Sequence, residues 1–166
     1  MIWLANSVLI IGLIRPPIIS MEFASHVIFQ ESLVVALPSH HHLAKLEMID
    51  LSLLAAEPFI LFPRQLAPGL YDPIITICQA AGFSPQVVQE CIQMQTIVSL
   101  VSANMGVSIL PASIQEAQRQ GVIYKPIKSA SLDADKLATI AIIWRLNDDS
   151  LTMNRLLELA LENSVL

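Results

Sequence analysis

Apolar residues follow two rhythms along this chain. Short continuous runs rich in β-branched side chains, often closed by proline, alternate with stretches whose apolar positions recur every three or four residues. The first rhythm predicts strands buried on both faces, and the second predicts amphipathic helices. Val8–Ile14 is the first such run, and Arg15-Pro16-Pro17 stops it because neither proline can donate a ladder hydrogen bond. His26–Gln30, Ser32–Leu37, Phe59–Phe62, Gln86–Glu90, Val107–Leu110, Val122–Ile127 and Leu137–Arg145 are the further strand candidates.

Asp50 is an N-cap for a helix over Leu51–Glu57. Asp72-Pro73 reads as the cap and first residue of the next helix, a place where proline's missing N–H costs nothing. Leu70, Ile74, Cys78 and Ala81 recur there at helical spacing, and Gly82 supplies a left-handed stop. Thr96–Met105 sets Ile97, Val101 and Met105 on one face, with Gly106 closing it. Ile114–Gln120 reads as a short polar-faced helix. Asp149 or Ser150 caps a last helix to about Asn163, with Met153, Leu157 and Leu161 on its inner face.

Strand and helix thus alternate from Asp50 to Gln120, which predicts a parallel sheet with helices on both faces. Ligands of such sheets bind beyond the carboxyl ends of the strands. The exits that matter are Arg15–Pro17, Pro63–Leu70, Cys91–Thr96 and Pro111–Ser113.

Composition sharpens this picture in one respect. The 166 residues are 54% hydrophobic and 14% charged, with a mean hydropathy of +0.62. Soluble domains usually run nearer to about 45–50% apolar, so the chain reads either as a membrane protein or as a domain whose apolar surface a partner covers. Met1–Ile14 argues against the first reading. It is interrupted by Asn6, Ser7 and Gly12 and falls short of the roughly 20 residues a spanning helix needs. Its first positive charge, Arg15, follows the apolar run instead of preceding it, unlike a signal peptide. A cytoplasmic chain with no membrane partner is expected.

The net charge is −5, and the nine Lys and Arg residues are scattered. Nucleic-acid surfaces cluster cations to displace counterions, so this chain by itself is not expected to hold DNA or RNA. Cys78 and Cys91 are too few for a disulfide framework and read as ordinary buried thiols. No Gly-x-Ser-x-Gly, His-Glu-x-x-His, Cys-x-x-Cys, P-loop or Gly-x-Gly-x-x-Gly pattern occurs, and no enzyme is expected. His40-His41-His42, with His26, invites a metal reading. Successive turn residues are expected to point apart, however, so no metal or cofactor is assigned.

The order and spacing of several blocks carry a family resemblance. These are Glu31–Pro38 followed by His40, His41, Leu43 and Ala44; Phe62-Pro63-Arg64 with Pro68–Asp72; and Gln79–Phe83 with Pro85. The most telling is Gln95-Thr96-Ile97 leading to Leu100–Pro111. From about residue 8 to its end the chain resembles the effector-binding domain of LysR-type transcriptional regulators, most closely the branch that responds to aromatic acids and their breakdown products. The resemblance implies an α/β, periplasmic binding protein-like (type 2) fold of two Rossmann-like lobes, one largely complete and one partial, with the effector between them. Residues 1–19 would be a remnant of the first lobe, 20–128 the second lobe, and 129–166 the return strand and C-terminal helix of the first. The winged helix-turn-helix and linker helix of a full regulator do not occur in this sequence, so Met1 reads as an internal start. His42 stands where the family usually has proline, and Asn104 where it often has glycine, though Asn tolerates a left-handed backbone better than most residues.

The resemblance also directs attention to an effector site. Arg64, directly after a buried strand, can hold a carboxylate through two parallel hydrogen bonds. Gln95 and Thr96 open a helix whose free amides suit an anion. Arg15 would face the cleft from the first lobe, and Phe62, Pro63, Val107 and Ile109 would form apolar walls. The expected function is a regulatory sensor for a small aromatic or dicarboxylic acid, self-associating to cover the edge that an incomplete lobe exposes. Two other readings share the fold: a solute-binding protein of a transporter, and a truncated dimerisation partner without sensing of its own.

Overall fold

A computed structural model describes residues 11–17, 21–128, 138–146 and 151–162. The described residues divide into a terminal unit, 11–17 and 21–30 with 139–146 and 151–162, and a central unit, 31–128 with 138. The sequence placed residues 20–128 together. The structure instead groups most of strand β2 (Phe23–Glu31) with the terminal unit.

In the terminal unit a three-stranded sheet has the order β1-β8-β2, with β1 at Ile11–Ile14 and β8 at Ala138–Arg145. β1 lies antiparallel to β8, from Ile11 opposite Trp144 to Ile14 opposite Ala141. Val8–Ile10 and Leu137, the outer ends of two expected strands, lie outside the described residues, as do Asp149 and Ser150. Helix α3 spans Leu151–Glu162 and buries Met153, as its spacing predicts.

The central unit is built on β3 (Leu33–Pro38), whose six residues are all buried. A continuous apolar run suits a strand covered on both faces. β3 pairs antiparallel with β6 (Ser108–Pro111) on one side and with β7 (Val122–Pro126) on the other. β4 (Pro58–Leu61) and β5 (Gln86–Glu90) form a parallel pair, and a parallel bridge from Phe59 to Val107 joins β4 to the residue just ahead of β6. The order is therefore β5-β4-β6-β3-β7. This corrects the expectation of a parallel sheet: β5, β4 and β6 run together, but β3 runs against its neighbours. Alternation of strands and helices specifies crossovers between strands and says nothing of a strand that enters from another unit.

Packing fixes the joint between β4 and β6. The buried Ser108 hydroxyl donates to the Ile60 carbonyl at 2.7 Å, so no polar group is left stranded. Val107 N–H donates to Pro58 O at 2.8 Å, and a Cβ on Gly106 would meet that same oxygen at 2.5 Å. Only glycine allows the two backbones to approach so closely.

Helix α1 covers Pro68–Ala80 and helix α2 covers Met94–Ser102. α1 starts earlier than the Asp72-Pro73 reading: Ala67 is its N-cap, Pro68 is its first residue and Pro73 lies inside. Pro68 satisfies the first-turn rule as well as Pro73 does, and the Leu70 and Tyr71 amides already donate to Ala67 O. Gly82 ends this helix with φ +89°. α2 turns Ile97, Val98 and Val101 into the core against β3, β4 and β6. Met105, expected on that face, instead lies half exposed beyond the helix end. Asn104 adopts φ +60°, the left-handed turn its side chain tolerates. Both Leu51–Glu57 and Ile114–Gln120 form shorter 3-10 turns, Leu51–Leu54 and Ala112–Ala117. Asp50 does cap the first of them, accepting from Ser52 N–H at 3.1 Å. Among the described residues no helix is long and apolar enough to cross a membrane.

Candidate functional site

Three parallel strands of the central unit end on one edge. Leu61 of β4 stands opposite Glu90 of β5, and Cys91 N–H donates to Leu61 O at 3.0 Å just beyond them. β6 runs the same way and ends at Pro111, opposite Leu33 at the start of β3. Pro63-Arg64, Cys91–Thr96 and Pro111–Ser113 are thus brought together, as the carboxyl-end rule anticipates.

α2 begins at this edge. Gln93 is its N-cap, and its carbonyl accepts from the Thr96 and Ile97 amides at 3.1 and 3.2 Å. The Met94 and Gln95 amides precede any acceptor within the helix, and no side-chain hydrogen bond caps the start. Gln95 and Thr96 themselves are exposed. An uncapped helix start with outward amides attracts negative charge.

Arg64 leaves β4 through Pro63 and is exposed, but it is not idle. Its Nε donates to Asp72 Oδ1 at 2.7 Å and an Nη donates to Oδ2 at 3.3 Å. Asp72, read from sequence as a helix cap, is therefore the guanidinium's resident carboxylate partner, and it further favours the charged form of Arg64. Two of five N–H donors are used in this pair, which leaves three.

The remaining expected residues separate by burial. Pro63 is half buried at the edge. Phe62, Val107 and Ile109 are 2%, 1% and 0% exposed and pack within the hydrophobic core. They hold up the floor under the strand exits and do not present a surface. Arg15 follows β1 in the terminal unit, where it is half buried.

Sequence reasoning missed one polar contact on this edge. Glu31 is 8% exposed, and its carboxylate accepts from Ser113 N–H at 2.6 Å and from the Ser113 hydroxyl at 3.2 Å. The contact fixes the turn after β6 to the entry of β3. An acidic residue closing a strand carries no such signal in sequence, because its partner lies far along the chain.

Comparison with known proteins identifies the family and the fold. The LysR substrate binding domain family matches residues 3–164. The transcriptional regulator IlvR of Caulobacter vibrioides is 40% identical over 115 residues, covering 69% of this chain and 37% of its own length. The chain thus spans well under half of that relative. The crystal structure of CbnR, a LysR family transcriptional regulator, superposes with a TM-score of 0.83 at 21% identity, over 98% of this chain and 55% of CbnR. The BenM effector binding domain with its effector benzoate gives 0.74 at 23% identity, over 99% of this chain and 76% of that one. At such identities these two structures establish the periplasmic-binding-protein-like fold. The family and these relatives are regulators, not enzymes.

Proposed function

The chain belongs to the LysR substrate-binding domain family, and from that premise we propose that it is the ligand-sensing part of a transcriptional regulator. It takes a small organic acid at the carboxyl edge of β4, β5 and β6. The observation that carries this reading is the convergence at that edge of an uncapped helix start with an arginine that keeps free donors.

Aromatic or dicarboxylic acids suit the edge best. A carboxylate would accept from the Met94 and Gln95 amides and from the remaining donors of Arg64. Thr96 would add a hydroxyl, and Pro63 an apolar surface for a ring or chain. The benzoate named for the BenM domain has this chemistry. Occupancy changes a regulator's state only if the acid binds one conformation more tightly than another. DNA contact is assigned to a separate domain of the helix-turn-helix type that the relatives' names mention. We assign the protein to the cytoplasm, as a homo-oligomer.

Calorimetry with benzoate-like and muconate-like acids tests the proposal. At least one acid should give saturable heat at one site per chain, and Arg64→Ala should weaken it by about tenfold, the worth of one charge-assisted hydrogen bond. No heat with any of the acids would overturn it.

A further inference from the structure

At the opposite edge of the sheet, where β3 ends and β4 begins, a second cluster of side chains has no part in the effector site. It comprises His41, His42 and Glu57, one donor atom of each lying within 4.8 Å of the others. His41 is only 10% exposed in its side chain, and its Nε2 lies 3.4 Å from Glu57 Oε1, whose side chain is 22% exposed. The two imidazole rings lie 4.4 Å apart between centroids, tilted by 31°. The expectation that successive turn residues point apart fails here for a local reason. His41 is extended (φ −63°, ψ 141°) and caps a 3-10 turn that starts at His42, which folds the second ring back beside the first.

From this juxtaposition we propose a binding site for one divalent transition-metal ion, held by His41, His42 and Glu57 with water completing the shell. Two imidazoles and one carboxylate are borderline nitrogen and oxygen donors, the set that zinc, cobalt and nickel prefer over magnesium or calcium. Donor-to-metal distances of about 2.0–2.2 Å need the three atoms to draw in by about 1 Å. The exposed His42 ring can supply most of that movement.

One competing bond sets the strength. Leu43 N–H donates to His41 Nδ1 at 3.3 Å, so in the metal-free protein the ring proton sits on Nε2, facing Glu57. A metal on Nε2 requires that proton to move to Nδ1, which displaces the long Leu43 bond. Affinity should therefore be weaker than that of a closed structural zinc site with four protein ligands. The metal would link the exit of β3 to the entry of β4 and stiffen the loops between them.

The test is titration of the tag-free 166-residue chain with CoCl2, followed by the visible d–d absorption of the ion and by calorimetry. One Co²⁺ per chain is expected, with nitrogen and oxygen but no thiolate bands, since Cys78 and Cys91 are not among the donors. His42 is the first residue of its turn and follows the extended His41, a place where proline fits, so His42→Pro should fold normally, and Glu57→Gln keeps the shape of the carboxylate. Each should weaken Co²⁺ binding at least about tenfold. Absence of saturable binding overturns the proposal. So does binding that both variants leave unchanged, or a spectrum dominated by thiolate. Acid binding at the other edge is measured separately, so either assignment can fail while the other stands.

Discussion

Within the central unit, the bodies of the strands and their exits live under different constraints. Phe59, Ile60 and Leu61 of β4 and Ile109 of β6 have no exposed surface at all. Beyond the strand ends, Pro63 and Cys91 are half exposed, and Arg64 and Gln95 are exposed. The bodies satisfy one another through apolar contact and a paired ladder. At the exits the ladder has run out: the Met94 and Gln95 amides have no acceptor within the helix, and Arg64 keeps three N–H donors beyond its pair with Asp72. On the proposed function, stability is concentrated in the bodies and recognition is assigned to the exits. A substitution should change one property and largely spare the other.

The largest effect should come from the bodies. Ile109→Ala, at a fully buried position, should cost about 4 kcal/mol in denaturant unfolding, since a rigid core does not collapse around the void. A loss under about 1 kcal/mol would mean that the floor of the site is far softer than drawn. Gly106→Ala drives a Cβ to 2.5 Å from Pro58 O and should separate β4 from β6. About 3 kcal/mol is expected, with reduced acid affinity because the exits lose their alignment.

A pH measurement addresses the same contrast. Burial pushes the Cys78 thiol in α1 up to about 12 from its ordinary 9.0. The unfolded chain therefore releases this proton first, and stability is full below about pH 9 and declines as pH rises toward 12. Near pH 10.5 the decline should reach about 2 kcal/mol. Tyr124, also raised by burial, adds to the loss at the alkaline end. Cys78→Ala in a Tyr124→Phe background should flatten the alkaline limb, and a limb of unchanged slope would assign it to other groups.

Substitutions at the exits should barely register in unfolding. Thr96→Val is expected to stay within about 0.5 kcal/mol of the parent while weakening acid binding severalfold. Asp72→Asn frees the guanidinium of Arg64 and should tighten binding if the acid uses that face. Weaker binding would show that Asp72 holds the arginine in its productive position.

Much of the body of the fold was legible in sequence. The runs at Leu33–Leu37 and Phe59–Leu61 announce buried strands because continuous apolar character has few other uses, and Gly82 and Asn104 announce left-handed turns. Strand direction was not legible: apolar periodicity has no sign, so the antiparallel setting of β3 appears only when partners are known. The start of α1 was misplaced because Pro68 and Pro73 offer the same local signal, and tertiary contacts choose between them. At the strand exits, which loops share an edge was legible by rule and the side-chain partners there were not. Asp72 beside Arg64, Ser113 beside Glu31, and Glu57 beside His41 each depend on how distant or offset segments fold together.

The division between bodies and exits is tested most directly by backbone amide NMR of the chain with and without the acid that gives the largest calorimetric heat. Saturation should move the Met94 and Gln95 amides most, with Arg64 and Ser113 next, and leave β7 and α3 nearly still. Shifts centred on β7 or α3, with residues 91–96 unmoved, would contradict the assignment of recognition to the strand exits.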